Sequence, residues 1–254
     1  KTAETFDVPA TVTTIGIGAF VGAENLKSIS IPESVTTIEM SAFRSCSGLT
    51  SITIPDGVTT IANQTFAMCL ALSTIELPDS ITTIEEAAFS NCESLTSFTL
   101  PRGVTTIPES GFYGCKALTD VVLHDGVTTI GPKAFYLCTA LKQIDLPESV
   151  TRIYERAFLS CISLESVVIP DGVKTIYKSS FQNCPALACV TIPASVEKID
   201  ESAFAECKAL SSIVFKGTKS QWESVKTKGN WRAMVPAKGV TCSDGTVEFS
   251  FVYS

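Results

Sequence analysis

The stretch VPATVTTIGIGAFVGAENLKSIS, residues 8–30, determines the fold because the following 23 residues repeat its pattern. IPESVTTIEMSAFRSCSGLTSIT, residues 31–53, keeps the spacing of the apolar residues, the Thr-Thr pair and the phenylalanine. Aligned in this way, the chain contains nine contiguous 23-residue units between Val8 and Val214. A fixed period of about 20 to 50 residues is typical of a solenoid, in which each unit buries its apolar face against its neighbours.

Three positions mark the units. A phenylalanine occurs in all nine, as Phe20, Phe43, Phe66, Phe89, Phe112, Phe135, Phe158, Phe181 and Phe204. A leucine follows six residues later, as Leu26, Leu49, Leu72, Leu95, Leu118, Leu141, Leu164, Leu187 and Leu210. A cysteine follows the phenylalanine by three residues in eight units, as Cys46, Cys69, Cys92, Cys115, Cys138, Cys161, Cys184 and Cys207. We expect the phenylalanines to stack as a spine along the core.

The apolar order within a unit indicates which solenoid forms. Leu49-x-x-Ile52-x-Ile54 is the strand pattern of a leucine-rich repeat. On a strand, Ile52 and Ile54 point inward, whereas Ser51 and Thr53 point outward. Nine such strands, stacked at about 4.8 Å, would form a sheet on the order of 38 Å long.

The rest of the unit is expected to return the chain to the next strand. Pro55-Asp56-Gly57 predicts a turn, and the β-branched Val58–Ile61 predicts a second short extended segment. Apolar residues at a spacing of three, Phe66, Cys69 and Leu72, suit a short helical or 3₁₀ return. The predicted fold is therefore a leucine-rich-repeat solenoid of α/β-type units with short parallel strands.

The repeated pattern IPxSVTxIxxxAFxxCxxLxxI resembles the BspA-like leucine-rich repeat family of bacterial surface proteins. The resemblance covers residues 6–214. Residues 215–218, Gln221-Trp222 and residues 240–245 resemble a unit that often closes such proteins. The resemblance implies a secreted or cell-surface role in adhesion or host contact, and it transfers no catalytic residue.

Composition narrows the classes of function. The 254 residues are 45% hydrophobic and 18% charged, which excludes a disordered chain. The net charge of −7 argues against a nucleic-acid partner, and no apolar run approaches the roughly 20 residues of a membrane-spanning helix. The sequence starts at Lys1 without a signal-peptide pattern. We expect a secreted or cell-surface monomer whose leader has been removed.

The chain divides by its period into a solenoid, residues 1–214 with regular units over 8–214, and a C-terminal segment, residues 215–254. Within the segment, Lys219 to Lys228 predicts a short helix and Gly239 to Ser254 a hairpin with Asp244-Gly245 in its turn. Residues 216–254 have a net charge of +3, whereas the remainder has −10. The segment is interpreted as an α+β cap, or alternatively as a contact for an anionic surface.

The ten cysteines allow several interpretations. Eight share one inward position, where Ala23 replaces cysteine in the first unit, so small buried thiols are favoured. Disulfides between adjacent units and a metal site remain alternatives, although His is almost absent and no C-x-x-C pair occurs. Cys189 and Cys242 lie outside the repeated position and are the candidates for reactivity or pairing.

Two other features suggest chemistry. Pairs of outward threonines recur in the second extended segment, as Thr36-Thr37, Thr59-Thr60, Thr82-Thr83, Thr105-Thr106 and Thr128-Thr129. They fit a β-forming, wettable surface better than a lattice-binding one, because Arg152 and Lys174 interrupt the column. His124, the single histidine, would have to serve any Ser-His-Asp or Cys-His site, but its His-Asp-Gly context predicts a turn. We therefore predict no enzyme and no cofactor.

The outward strand positions change in character along the chain. In the first four units they are mostly serine and threonine, whereas valine and charged residues enter from the fifth unit. Exposed apolar residues rimmed by charge are typical of protein-binding surfaces. The predicted partner-binding residues are Asp120, Val122, Lys142, Gln143, Asp145, Glu165, Val168 and Cys189.

These residues suggest binding of an extracellular protein or glycan. They could equally be solvated strand residues without a partner. The alternative function is a rigid spacer that presents another domain.

Overall fold

The computed structural model describes residues 3–249, which form a leucine-rich-repeat solenoid of about ten turns with short parallel strands and almost no helix. Its strands are β1 (Thr5–Asp7), β2 (Thr14–Ile15), β3 (Ser28–Ser30), β4 (Thr37–Ile38), β5 (Thr60–Ile61), β6 (Thr83–Ile84), β7 (Ser97–Thr99), β8 (Thr106–Ile107), β9 (Asp120–Val122), β10 (Thr129–Ile130), β11 (Arg152–Ile153), β12 (Ser166–Val168), β13 (Thr175–Ile176), β14 (Cys189–Ile192), β15 (Lys198–Ile199), β16 (Ser212–Phe215), β17 (Lys226–Thr227), β18 (Gly239–Cys242) and β19 (Gly245–Glu248). One helix, α1 (Lys219–Glu223), lies between β16 and β17. Each turn has three sides, which we name the sheet side, the short-strand side and the return side.

The sheet side contains the leucine-rich-repeat strands, but their pairing is interrupted. Parallel pairs join β1 to β3, β7 to β9, and β12, β14, β16 and β18 in succession. Between these groups a single bridge joins Thr53 to Glu76, and residues 143–145 belong to no strand of the described chain. The prediction of one continuous sheet is therefore wrong. Successive turns do not depend on this pairing, because the other two sides and the core also hold them together.

The short-strand side confirms the predicted second extended segment. Two-residue strands, mostly Thr-Ile, pair in parallel with the same position of the next turn, as Ile15 with Ile38. The isoleucine is buried and the residue before it faces solvent. Outer threonines also bond between turns, since the Thr82 hydroxyl donates to the Thr59 carbonyl at 3.4 Å. These threonines thus have a structural role on a wettable surface.

The return side corrects the prediction of a short helical or 3₁₀ return, because its described residues form turns and no helix. Each full turn instead uses two residues with a left-handed backbone, such as Ser41 at φ 57° and Ser45 at φ 60°. Between them, alternate N–H groups point out of their own turn. Ser41, Phe43 and Ser45 donate to the carbonyls of Asn63, Thr65 and Ala67 at 2.8–3.0 Å. A helix would direct these N–H groups along its own segment, so the left-handed residues replace helical bonds by bonds between turns.

The core is a stack of phenylalanine rings, as predicted. Successive rings of the nine units lie 5.2–5.6 Å apart between centroids and within 10° of parallel. Perpendicular rings lie at both ends, Phe6 against Phe20 at 5.4 Å and Trp231 against Phe204 at 6.2 Å. All rings but Phe20 are fully buried, so each adds a large apolar area to the contact between turns.

The repeated cysteines form a buried ladder beside the rings. The Cys69 thiol donates to the Phe43 carbonyl at 3.1 Å, and that carbonyl also accepts the Cys46 N–H. The same thiol-to-carbonyl bond recurs at the other repeated cysteines. Burial raises the pKa of Cys115 and of Cys161 to about 12, so these thiols stay neutral. The predicted burial is confirmed, and the thiol has a hydrogen-bonding role that alanine in the first unit lacks.

The C-terminal segment continues the contacts of the solenoid. Helix α1 has five residues and ends at Glu223, so the helix predicted to Lys228 is too long; β17 follows and pairs with β15. Thr218 and Gln221 cap its first turn reciprocally. The predicted hairpin forms from β18 and β19, with Asp244 in the turn, and residues 250–254 lie outside the described residues.

An ion-pair cluster joins this segment to the last unit. Asp200 lies 2.9 Å from Lys198 and 3.1 Å from Lys228, and its side chain is only 10% exposed. Burial alone would raise the pKa of Asp200, but the hydrogen bonds and charges of the two lysines outweigh it and hold the pKa below its usual value. Lys228 therefore fixes the segment electrostatically against the solenoid.

Replacement of Phe135 by alanine is expected to lower the free energy of unfolding by about 3–5 kcal/mol, because it leaves a cavity between two stacked rings. Phe20→Ala is the control, and its loss should be smaller because that ring is only half-buried. Urea denaturation followed by circular dichroism measures both values. Equal losses at the two positions would contradict a continuous stack.

Substitution of Arg156 can test whether the return side requires a left-handed backbone. It is exposed with φ 58°, so Arg156→Val is expected to cost about 1–2 kcal/mol of stability, whereas Arg156→Gly should be neutral or stabilising. Arg152→Val is the matched control, because Arg152 is equally exposed but lies in β11, where valine is favoured. Thermal or urea unfolding of the three variants measures the difference, and a similar loss at Arg152 would refute the backbone argument.

Candidate functional site

The predicted partner-binding residues lie on the sheet side, and the strands position half of them. Asp120 and Val122 are the ends of β9, Val168 ends β12 and Cys189 begins β14. The other four predicted residues lie outside strands, and they are Lys142, Gln143, Asp145 and Glu165. Gln143 and Asp145 are nevertheless exposed on either side of the buried Ile144, so the predicted alternation of outward and inward side chains continues through this unpaired segment.

Two valines dominate the exposed apolar area of this surface. Val122 is 57% exposed and Val168 is 53% exposed. Both occupy the second outward position of their turns, and Asp145 has the same position in the turn between them. Val168 pairs with Thr191 of the next strand. The structure thus places a charged residue between two solvent-exposed apolar ones, as the sequence predicted.

The charged residues of the set are exposed and weakly held. Asp120 accepts a hydrogen bond from the Thr119 hydroxyl at 2.6 Å. Lys142 and Glu165 lie in adjacent turns, where the Glu165 N–H donates to the Lys142 carbonyl at 2.9 Å. Within residues 3–249, no ion pair joins these two side chains or engages Asp145. Their charges therefore remain open to a partner.

Cys189 and Cys242 are on opposite faces of the same sheet. Cys189 is partly exposed on the outward face of β14, whereas Cys242 points inward from β18 and is buried. Burial is the main cause that raises the pKa of Cys242. The suspected pairing of these two cysteines is therefore excluded by geometry, and Cys242 is a core residue.

A groove adjoins Val122 that the sequence interpretation missed. It has a volume of about 550 Å³ and runs across three turns, where pairing between Thr74–Glu76 and β7 is absent from the described ladder. Its lining is Thr74, Ile75, Glu76, Leu77, Asp79, Ser97, Thr99, Leu100, Pro101, Arg102, Val122, Leu123 and His124. Two sequence signals could have indicated it: Glu76 is the one charged outward strand residue of the first four units, and Arg102 is the one basic residue that follows a turn proline.

His124 forms a fixed wall of the groove. Its Nδ1 accepts the Gly126 N–H at 3.0 Å, and Nε2 then donates to the carbonyls of Pro101 at 3.1 Å and Val104 at 3.0 Å. Both ring nitrogens are thus engaged by backbone groups, Nδ1 by its own turn and Nε2 by the preceding turn. The predicted turn role of His124 is confirmed, and no serine or cysteine is among these hydrogen-bond partners.

Residues 3–249 contain neither a metal-binding cluster nor a membrane-spanning helix. No group of three or more His, Cys, Asp or Glu side chains in this range is arranged to hold a metal ion. None of the helical structure found there has the length and apolar character to cross a bilayer.

The turn pattern, the parallel ladders and the buried leucine column define a leucine-rich repeat protein. A family model described as "BspA type Leucine rich repeat region" with six copies matches residues 2–119 and 105–225. The chain belongs to this family, which is a family of repeat scaffolds. A search of the curated proteins found no match.

Solved bacterial structures share the fold. A leucine-rich repeat protein from Bacteroides ovatus is 24% identical with a TM-score of 0.65, and the match covers 88% of this chain and 91% of that protein. A leucine rich cell surface protein from Faecalibacterium prausnitzii is 27% identical with a TM-score of 0.51, over 90% and 92%. The leucine-rich repeat protein of T. pallidum is 24% identical with a TM-score of 0.50, over 92% and 88%.

Thiol labelling should distinguish Cys189 from the ladder. A hydrophilic maleimide is expected to modify about one thiol per native chain, at Cys189, because the other sulfurs are buried and most have raised pKa values. Cys207 is the most demanding test of protection by burial. A hydrogen bond with the Cys184 thiol lowers the pKa of Cys207, whose side chain is fully buried. Mass spectrometry of the native and the urea-unfolded protein, beside Cys189→Ser, gives the count. Rapid labelling that persists in Cys189→Ser would contradict the described burial.

Proposed function

We propose that this protein is a non-enzymatic binding protein, secreted or held at the cell surface, that recognises an extracellular protein or glycan. The sheet side of the fifth to eighth units is the binding surface, and the protein acts as a monomer. The observation that carries the proposal is the pair of exposed valines, Val122 and Val168, which flank Asp145. Apolar side chains rimmed by charge are typical of such surfaces.

Family and fold support the class of function. A scaffold that buries its apolar residues between turns leaves the outward positions free to vary, and recognition of macromolecules uses such surfaces. The similar protein of Faecalibacterium prausnitzii is described as a cell surface protein. We extend this similarity and propose that the present chain also lies at the cell surface.

The nine units and a C-terminal cap, residues 215–254, complete the proposed architecture. Trp231 supports the cap, since its ring lies against Phe204 and its carbonyl accepts the Phe204 N–H at 2.7 Å. The lysine cluster at Asp200 holds the same segment. A last turn needs such cover because its apolar face has no following unit.

A rigid spacer is the second candidate, and the return side favours it. Bonds between turns recur from Gly18 to Glu206, so the solenoid has no unbonded joint along this side. A spacer would present another domain and would need no partner on the sheet side.

Binding of the purified chain to an array of extracellular matrix proteins and host glycans tests the proposal. We expect a specific partner whose affinity falls about tenfold or more in the variant Asp120→Lys/Asp145→Lys, because reversed charges repel a matched surface. Glu24→Lys/Glu86→Lys is the control, since both residues are exposed and outside the fifth to eighth units.

The two variants carry the same change in net charge, so general electrostatic effects cancel between them. An equal loss in both would refute the proposed surface. If the chain is folded by circular dichroism but binds no member of the array, the result would favour the spacer.

A further inference from the structure

The groove beside Val122 is a concave, partly apolar part of the sheet side, at one of the places where strand pairing is interrupted. Its volume of about 550 Å³ is within the range of small binding clefts, and its floor includes the apolar Ile75, Leu77 and Leu100. The groove lies where the strand ladder is interrupted between the third and fourth turns. Concave apolar surface is therefore combined with polar side chains at the rim.

The acidic side chains at the Glu76 end of the groove rim have no basic partner among residues 3–249. Elsewhere on the surface, Glu93 lies 2.7 Å from Lys116 and Glu201 lies 3.0 Å from Lys178 of a neighbouring turn. Glu76 and Asp79, by contrast, are exposed and have no ion pair with any residue in the range 3–249. A cationic ligand group would supply the missing partners at the Glu76 end of the groove.

Val122, at the end of the groove opposite Glu76, indicates which side chain of the ligand would bind there. Val122 is 57% exposed and lies beside Leu123, which is only half-buried. An aliphatic side chain on Val122 would remove this area from water. The lining contains no Phe, Tyr or Trp, so it offers no aromatic face to a sugar ring.

We propose that this groove binds an extended, positively charged segment of a partner polypeptide, with lysine or arginine at Glu76 and Asp79 and an aliphatic side chain on Val122. The inference rests on the proposed function, because it identifies the chemical class of the partner and extends the binding surface toward the third unit. Arg102 gives the groove a direction, since it repels a cation that enters from its side.

The probe is a short synthetic peptide in which lysine and leucine alternate with glycine, titrated by fluorescence anisotropy against the full chain. Removing two charges, Glu76→Gln/Asp79→Asn, is expected to weaken binding about fivefold or more. Glu33→Gln/Asp56→Asn is the matched control for the loss of two charges, because both residues are acidic and exposed and, like Asp79, follow a turn proline, but do not line the groove.

Four further measurements test the contribution of charge and the apolar contact. Arg102→Gln should tighten binding, and Val122→Ser should weaken it more than Val168→Ser does, because Val168 lies outside the groove. Affinity should also fall between about 50 and 200 mM salt. A peptide with glutamate in place of lysine should not bind.

Several results would overturn the inference. Equal losses in the two double variants, or equal binding when glycine replaces the leucines, would indicate nonspecific attraction to an acidic protein. No binding of the cationic peptide, or preferred binding of a neutral or anionic glycan, would exclude the proposed ligand class. An array partner lost in Asp120→Lys/Asp145→Lys but unaffected by the groove variants would refute this inference alone and leave the proposed function intact.

Discussion

Contact between successive turns is the constraint on which the whole structure depends, because no single turn can bury its own apolar side chains. The phenylalanine rings show this directly: each buried ring gains its cover from the rings before and after it. Hydrogen bonds also join successive turns. The Cys161 thiol donates to the Phe135 carbonyl, and the Phe135 N–H donates to the Ala157 carbonyl. The outward strand residues of the sheet side take no part in the ring and thiol contacts, so they are free to form a recognition surface.

Sequence predicted the features that repeat and that depend on apolar burial. The period, the ring stack, the leucine column and the buried cysteines follow from which side chains must avoid water. The return was mispredicted because its left-handed positions have no uniform residue. Glycine marks some of them, as Gly22 and Gly114, but most hold serine, lysine, arginine or other residues that also suit a helix. What these positions share is the absence of β-branched residues, and that signal is visible only after alignment of all units.

The candidate site was predictable in composition but not in shape. Alternation along a strand correctly predicted that Val122 and Val168 face solvent, because residues two apart share one face. The interrupted pairing beside β7 depends on backbone distances that no residue pattern records. The groove therefore appears only in the structure, and it brings Glu76, Arg102 and His124 together from three different turns.

The direction of the hydrogen bonds on the return side makes the two ends of the solenoid chemically different. Each turn sends its N–H groups toward the C-terminal end, and each turn after the first offers carbonyl oxygens in the opposite direction. The last unit finds its acceptors in the carbonyls of Trp231 and Ala233. On this side, a following turn must therefore supply carbonyl oxygens and a preceding turn must supply N–H groups. The return-side backbone thus gives the solenoid a direction that no side chain sets.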